Sequence, residues 1–131
     1  MVRRFLSRWL PFVAYSILIV WLSLMPAPPT IDDAFFGWDK FQHAAAYGVL
    51  ALLAFRAFGG AVLSAKQRQL QAAAVSFSLG GLLEIAQGAF TKTRTAECSD
   101  LLADLLGVGG AYLVAVIYRF FIIPGEKIDR R

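Results

Sequence analysis

The sequence has little of what soluble enzymes and metal-binding modules are built from. It contains one cysteine, Cys98, and one histidine, His43, among 131 residues. A lone cysteine cannot form an internal disulfide, and no CxxC pair or cysteine–histidine cluster indicates zinc. No serine-hydrolase, zinc-protease or phosphate-binding loop motif is present either. The sequence therefore offers no recognised catalytic motif and no evident cofactor.

Charged residues are also scarce, at 17% of the chain, whereas hydrophobic residues make up 58% and the mean hydropathy is +0.60. A soluble domain of this length has too small a core to hide that much apolar surface. The net charge of +4 does not indicate nucleic-acid binding, because the basic residues flank apolar runs instead of forming one patch. The composition predicts one domain, residues 1–131, with the lipid bilayer as its partner.

Four apolar runs predict an all-α fold, a bundle of about four transmembrane helices. They cover residues 9–25, 41–58, 72–90 and 101–123, each close to the roughly 20 residues that cross a bilayer. Proline-rich residues 26–29, the pair Gly59 and Gly60 with polar residues 66–71, and residues 91–95 separate the runs. The arginines before the first run also fit a secretory signal peptide, but the proline after Ala27 disfavours cleavage.

Lysine and arginine residues set the expected orientation. Three arginines precede the first span, three basic residues including Arg56 lie between the second and third spans, and four lie at the C-terminal end, so ten share one side. Three basic residues, Lys40, Lys92 and Arg94, fall on the other side. This asymmetry predicts that both termini are cytoplasmic. Arg56 and Arg119 lie close enough to that face for their stems to reach the headgroups.

Ionisable residues in three of the spans lie near the opposite, outer face. Such residues are costly in lipid and usually face the protein interior or a wet cavity. Helical spacing puts several of them on shared faces. The residues expected to line one outward-facing pocket are Asp39, Lys40, His43, Tyr47, Glu84, Gln87, Arg94, Asp100 and Asp104. Each also has a structural interpretation, such as Asp100 capping a helix or Glu84 pairing with Arg94, but their common depth favours a functional site.

Five glycines in the last two spans are expected to be close-packing positions between helices. They are Gly80, Gly81, Gly107, Gly109 and Gly110.

The order of these residues resembles the VanZ-like family of bacterial membrane proteins. The resemblance begins with Trp21-Leu22-Ser23 and Pro26, and continues with Asp39-Lys40-x-x-His43-x-x-x-Tyr47 and Glu84-x-x-Gln87. Arg94, Asp100 six residues later and Gly107 complete it, so that it covers residues 21–110. The family usually has asparagine where this chain has Asp104, which adds a second carboxylate beside Asp100.

The resemblance implies a multi-pass protein of the bacterial inner membrane with a role at the cell envelope. The family's namesake is associated with low-level resistance to the glycopeptide teicoplanin. On this basis the favoured hypothesis is that the pocket binds or protects an outer-leaflet lipid headgroup or an envelope precursor, with Lys40 and Arg94 meeting an anion.

Two other hypotheses remain open. A membrane-embedded enzyme acting on a lipid-linked precursor would use His43 as acid or base, Glu84 as its partner, and Asp100 as an orienting residue or metal ligand. A histidine with three carboxylates could also hold a divalent metal, although no further feature of the sequence supports one. A proton-coupled transporter is the least favoured, since the acids lie on one side and the chain is small unless it forms a homo-oligomer.

Overall fold

The computed structural model describes residues 2–25, 38–60, 63–90 and 98–122, and side chains within them except at 38, 39 and 118–122. Across these residues the chain is helical and contains no strand. The helices are α1 (Val2–Leu24), α2 (Trp38–Ala57), α3 (Ala65–Phe90) and α4 (Cys98–Ile122), and a single 3₁₀ turn (Phe58–Gly60) follows α2. This confirms the predicted all-α class.

All four helices are long and apolar enough to cross a membrane. Large apolar side chains are exposed on each of them, for example Leu10, Leu52, Ile85 and Leu106. Soluble monomers rarely expose apolar surface over so much of their area. The number of membrane-length helices therefore agrees with the four predicted spans.

Two helices begin earlier than the predicted spans. α1 begins at Val2 and α3 at Ala65, so polar residues 66–71 form the first turns of α3 and do not separate two helices. Ser64 explains this start, because its backbone nitrogen donates to Gln67 Oε1 (2.9 Å) and its hydroxyl accepts from the Gln67 backbone nitrogen (3.2 Å). This reciprocal pair is a capping box, which satisfies amides left free at a helix start.

Consecutive helices run antiparallel, so one end of the bundle carries the ends of α1 and α3 and the starts of α2 and α4. We call this the site end. At the site end, Gln87 near the end of α3 donates to the Ser23 carbonyl near the end of α1 (3.0 Å). At the other end, Arg56 of α2 contacts Ser7 of α1.

The closest helix contact joins α2 and α4 through small residues. A Cβ atom built on Gly48 would lie 3.1 Å from the Gly107 carbonyl oxygen, and one on Gly107 would lie 2.7 Å from the Ala44 carbonyl carbon. Close backbone approach of this kind is the usual role of small residues between membrane helices. Buried side chains including Tyr47, Leu50 and Val108 pack beside this contact and form the core.

The expectation for the glycines is only partly met. Gly107 and Gly80 lie at tight helix contacts, whereas a Cβ on Gly81 would only just reach Leu101, at 4.0 Å. Gly109 and Gly110 were expected to be close-packing positions, and this prediction is wrong. A Cβ at either would meet nothing within 4 Å among the described residues, since both lie on the exposed side of α4.

Pro11 lies inside α1 and leaves one backbone carbonyl without its helical donor. A proline nitrogen carries no hydrogen, so the carbonyl four residues earlier, that of Ser7, loses its partner. Arg56 of α2 supplies a replacement, because its Nη2 donates to Ser7 O at 3.3 Å. Arg56 therefore also connects α2 to α1, beyond the headgroup contact expected from its position.

Candidate functional site

The site end of the bundle carries an ionisable cluster built from three helices. α2 contributes Lys40 and His43, α3 contributes Glu84, and α4 contributes Asp100 and Asp104. His43, Glu84 and Asp104 each lie five or six residues from the end of their helix, about 8 to 9 Å at the helical rise. The common depth expected from sequence is therefore present in the structure.

His43 is held by a buried carboxylate. Its Nδ1 lies 3.0 Å from Asp104 Oδ1, and the Asp104 side chain is 1% exposed. The neighbouring helix contact explains this proximity: Ala44, next to His43, packs on Gly107, which lies three residues after Asp104. Because the α2 and α4 backbones meet there, the adjacent His43 and Asp104, one turn before Gly107, are brought within hydrogen-bond distance.

The other ring nitrogen of His43 faces Asp100. Nε2 lies 3.8 Å from Asp100 Oδ2, which is too long for a hydrogen bond. Asp100 uses its second oxygen, Oδ1, to pair with the ammonium of Lys40. Asp100 also lies in the first turn of α4, where the helix dipole favours a negative charge.

Glu84 completes the cluster from α3. One of its carboxylate oxygens, a His43 ring nitrogen and an Asp100 oxygen all lie within 4.8 Å of one another. Glu84 is buried, so it faces the bundle and not the lipid. These three residues therefore share one small volume, as the spacing analysis expected.

Gly80 makes room for this arrangement, which sequence reasoning attributed to helix packing alone. A Cβ on Gly80 would lie 2.6 Å from Asp104 Oδ2 and 3.1 Å from Tyr47 Cε1. Gly80 precedes Glu84 by one turn, on the same face of α3. That spacing, together with Tyr47 and Asp104 at matching depth, was the signal available in the sequence.

The other residues expected in the pocket lie around this cluster or outside the described part of the chain. Tyr47 is buried and its ring stacks near His43, with centroids 6.3 Å apart. Gln87 contacts Ser23 at the end of α1. Lys40, expected to meet an anion, pairs with Asp100. Arg94 and the Asp39 side chain lie outside what the structure describes.

This arrangement supports two kinds of chemistry. A histidine oriented through Nδ1 by a buried carboxylate can present Nε2 for proton transfer. A ring nitrogen of His43 and one oxygen each of Glu84 and Asp100 also lie close enough together to hold a divalent cation. The search for similar proteins adds no further constraint: no protein-family model, curated protein or solved structure matches the chain.

Proposed function

We propose that this chain is a multi-pass protein of the bacterial inner membrane, a single VanZ-like domain with both termini in the cytoplasm. The four membrane-length helices support this assignment, and so does the sequence of motif residues from Trp21 to Gly107, which follows the order found in the family. The distribution of lysine and arginine supports the orientation, with the site end facing outward.

Its function is to bind or protect the polar head of a cell-envelope component, a lipid headgroup or a lipid-linked precursor. The observation that carries this proposal is the convergence of His43, Glu84 and Asp100 from three helices, with His43 and Glu84 five to six residues inside their helix ends and Asp100 in the first turn of α4. Ionisable groups are costly at this depth, so their retention in a mostly apolar bundle favours a polar ligand. A glycopeptide response would follow if the ligand is an envelope precursor.

An apolar groove at the same end supports a ligand with a lipid chain. The groove runs along the last turns of α1, the helix whose end Gln87 contacts. It is lined by Ser16, Ile17, Val20, Trp21, Leu24 and Met25.

Native mass spectrometry of the protein in mild detergent tests this function. A lipid whose polar head hydrogen-bonds the carboxylates should co-purify with the wild type and be lost from Glu84→Gln and Asp100→Asn. Gln69→Ala is the matched control, since Gln69 is a buried polar residue of α3 close to the start of that helix, at the other end of the bundle. Equal lipid occupancy in all four proteins would refute the pocket.

A second candidate function is favoured by the contact between His43 Nδ1 and Asp104. Such a pair orients a general acid or base, so the alternative is a membrane-embedded enzyme acting on a lipid-linked precursor. Asp104→Asn separates the two functions, because the amide oxygen still accepts from Nδ1 but does not offset imidazolium charge. For an enzyme, conversion should fall by about 10²- to 10⁴-fold while lipid binding persists. For a binding protein, Asp104→Asn should leave the envelope lipid profile as it is in the wild type.

A further inference from the structure

We infer that His43, Glu84 and Asp100 bind one divalent transition-metal ion, and that Lys40 competes with it for Asp100. This inference rests on the proposed function, because the ion would form part of the pocket that receives the ligand. The three residues come from three helices, and one potential ligand atom of each lies within 4.8 Å of the others. Glu84 and Asp100 are buried and His43 is largely so.

The spacing between His43 and Asp100 suits a shared ion. Nε2 and Oδ2 are 3.8 Å apart, which is beyond hydrogen-bond distance. Two ligands that each lie about 2.0 to 2.2 Å from one ion are separated by about 3 to 4 Å. A cation between these atoms therefore requires small side-chain adjustments, and Glu84 is near enough to supply the third ligand.

The contact behind His43 has the form found at many metal sites. Metal-binding histidines commonly donate their second ring N–H to a carboxylate, which fixes the tautomer and directs the free lone pair at the ion. Asp104 has this position, 3.0 Å from Nδ1 and 1% exposed. Gly80 leaves the space that the Asp104 carboxylate needs.

Lys40 allows a metal site to be distinguished from a cluster that only stabilises the fold. It pairs with Asp100 through Oδ1, while Oδ2 is the oxygen nearest His43. A nearby ammonium lowers the affinity of this carboxylate for a second cation by charge repulsion. Removing the ammonium should therefore strengthen metal binding, whereas removing any of the three ligands should weaken it.

The ligand types indicate the class of ion and of bound group. One imidazole nitrogen and two carboxylate oxygens suit Zn²⁺ or Mn²⁺ and do not provide the many oxygens that Ca²⁺ prefers. Three protein ligands leave at least one coordination position open. An open position on a divalent ion favours an oxyanion, so the metal predicts a phosphoryl or carboxylate group on the envelope ligand.

The test is metal titration of the full chain in detergent, with ZnCl₂ and MnCl₂ after chelator treatment and dialysis. The Cys98→Ser background removes an exposed thiol that would bind zinc adventitiously. Equilibrium dialysis with elemental analysis should find one ion per chain. Glu84→Gln, Asp100→Asn and His43→Gln should each lower the affinity at least about 100-fold, and Asp104→Leu about 10- to 100-fold.

Lys40→Met should bind the metal more tightly than the wild type, by about 10-fold, and Gln69→Ala should bind it equally well. Circular dichroism and gel filtration establish that each variant is folded. Binding of less than one ion per folded wild-type chain, or affinity unchanged by all three ligand substitutions, would overturn the inference.

If metal binding fails but Glu84→Gln still loses the co-purified lipid, the pocket stands without the metal. If the wild type binds metal but Glu84→Gln and Asp100→Asn retain the co-purified lipid, the proposed function fails instead.

Discussion

At His43, the two ring nitrogens face different carboxylates in different surroundings. Nδ1 contacts fully buried Asp104, whereas Nε2 faces Asp100, whose other oxygen is paired with Lys40. The first carboxylate is suited to orienting the ring, and the second lies where a ligand or ion would bind. The position of the Asp104 carboxylate depends on Gly80, which leaves the space that the carboxylate occupies.

We expect Gly80→Ala to disturb the site and destabilise the fold. Its Cβ would lie 2.6 Å from Asp104 Oδ2 and 3.1 Å from the buried Tyr47 ring, so the carboxylate must move away from His43. Overpacking of this kind costs about 1 to 3 kcal/mol. Thermal unfolding in detergent and lipid retention should both show the loss.

Gly81→Ala is the matched control for this substitution. Its Cβ would only just reach Leu101 at 4.0 Å, so stability and lipid retention should be unchanged or slightly improved by the higher helix propensity of alanine. Equal effects of the two substitutions would show that Gly80 does not set the position of Asp104.

At the scale of the helices, α2 and α4 form the central pair and α1 is the most peripheral. Ala44, Gly48 and Gly107 bring the α2 and α4 backbones together, whereas Ile19 is the one buried residue within the described part of α1. α1 is connected to the others through polar contacts as well, Gln87 to Ser23 at one end and Arg56 to Ser7 at the other. The contact between α2 and α4 should therefore be sensitive to substitutions of small residues, and the contacts of α1 to substitutions of polar residues.

Gly107→Ala should weaken the central pair, whereas Gly110→Ala should not. A Cβ at Gly107 would lie 2.7 Å from the Ala44 carbonyl carbon. A backbone atom cannot move aside as the end of a flexible side chain can, so the two helices must separate. We expect a loss of at least about 1 kcal/mol, visible as a lower unfolding temperature. The control meets nothing within 4 Å, so a similar loss there would contradict this account of the contact.

The contact between α1 and α2 can be tested by a double-mutant cycle. Pro11→Ala restores a helical donor for the Ser7 carbonyl, which Arg56 serves at 3.3 Å in the wild type. Arg56→Gln should therefore destabilise the wild type more than the Pro11→Ala variant, with a coupling of about 0.5 to 1.5 kcal/mol. Additive effects on unfolding would mean that Arg56 does not replace the missing donor.

Across the whole molecule, charge is divided between the two ends of the bundle. The arginines whose side chains are described lie near the start of α1, the end of α2 and the start of α3. The described acids Glu84, Asp100 and Asp104 lie at the site end, where Lys40 pairs with Asp100. Membrane proteins keep lysine and arginine on the cytoplasmic side. The same division supports a cytoplasmic basic end and an outward site end.

A topology assay tests that orientation directly. A reporter that is active only in the periplasm should be silent when fused after Arg131 and active when inserted near Asp33. A reporter active only in the cytoplasm, fused at the same two positions, serves as the control and should give the opposite pattern. Activity reversed in both assays would show that the site end faces the cytoplasm.

The sequence predicted the number and order of the helices, because long apolar runs depend on local composition alone. It also grouped His43, Glu84 and Asp100, because helical spacing and depth are properties of each helix. It did not pair His43 with Asp104 or give Gly80 a role in the site, since spacing defines faces but not which faces meet. The early start of α3 was missed because polar residues 66–71 were taken as a break and the capping box that Ser64 forms with Gln67 was not recognised.

The tightest backbone contact lies directly beside the histidine–carboxylate pair, which has a consequence for how this protein tolerates mutation. Ala44 is the direct neighbour of His43, and Gly107 lies three residues from Asp104. A side chain added at either small residue moves both helices, and the polar pair moves with them. In a deep mutational scan, substitutions at these two positions should therefore lose activity before they lose abundance, a pattern usually associated with residues that touch a ligand.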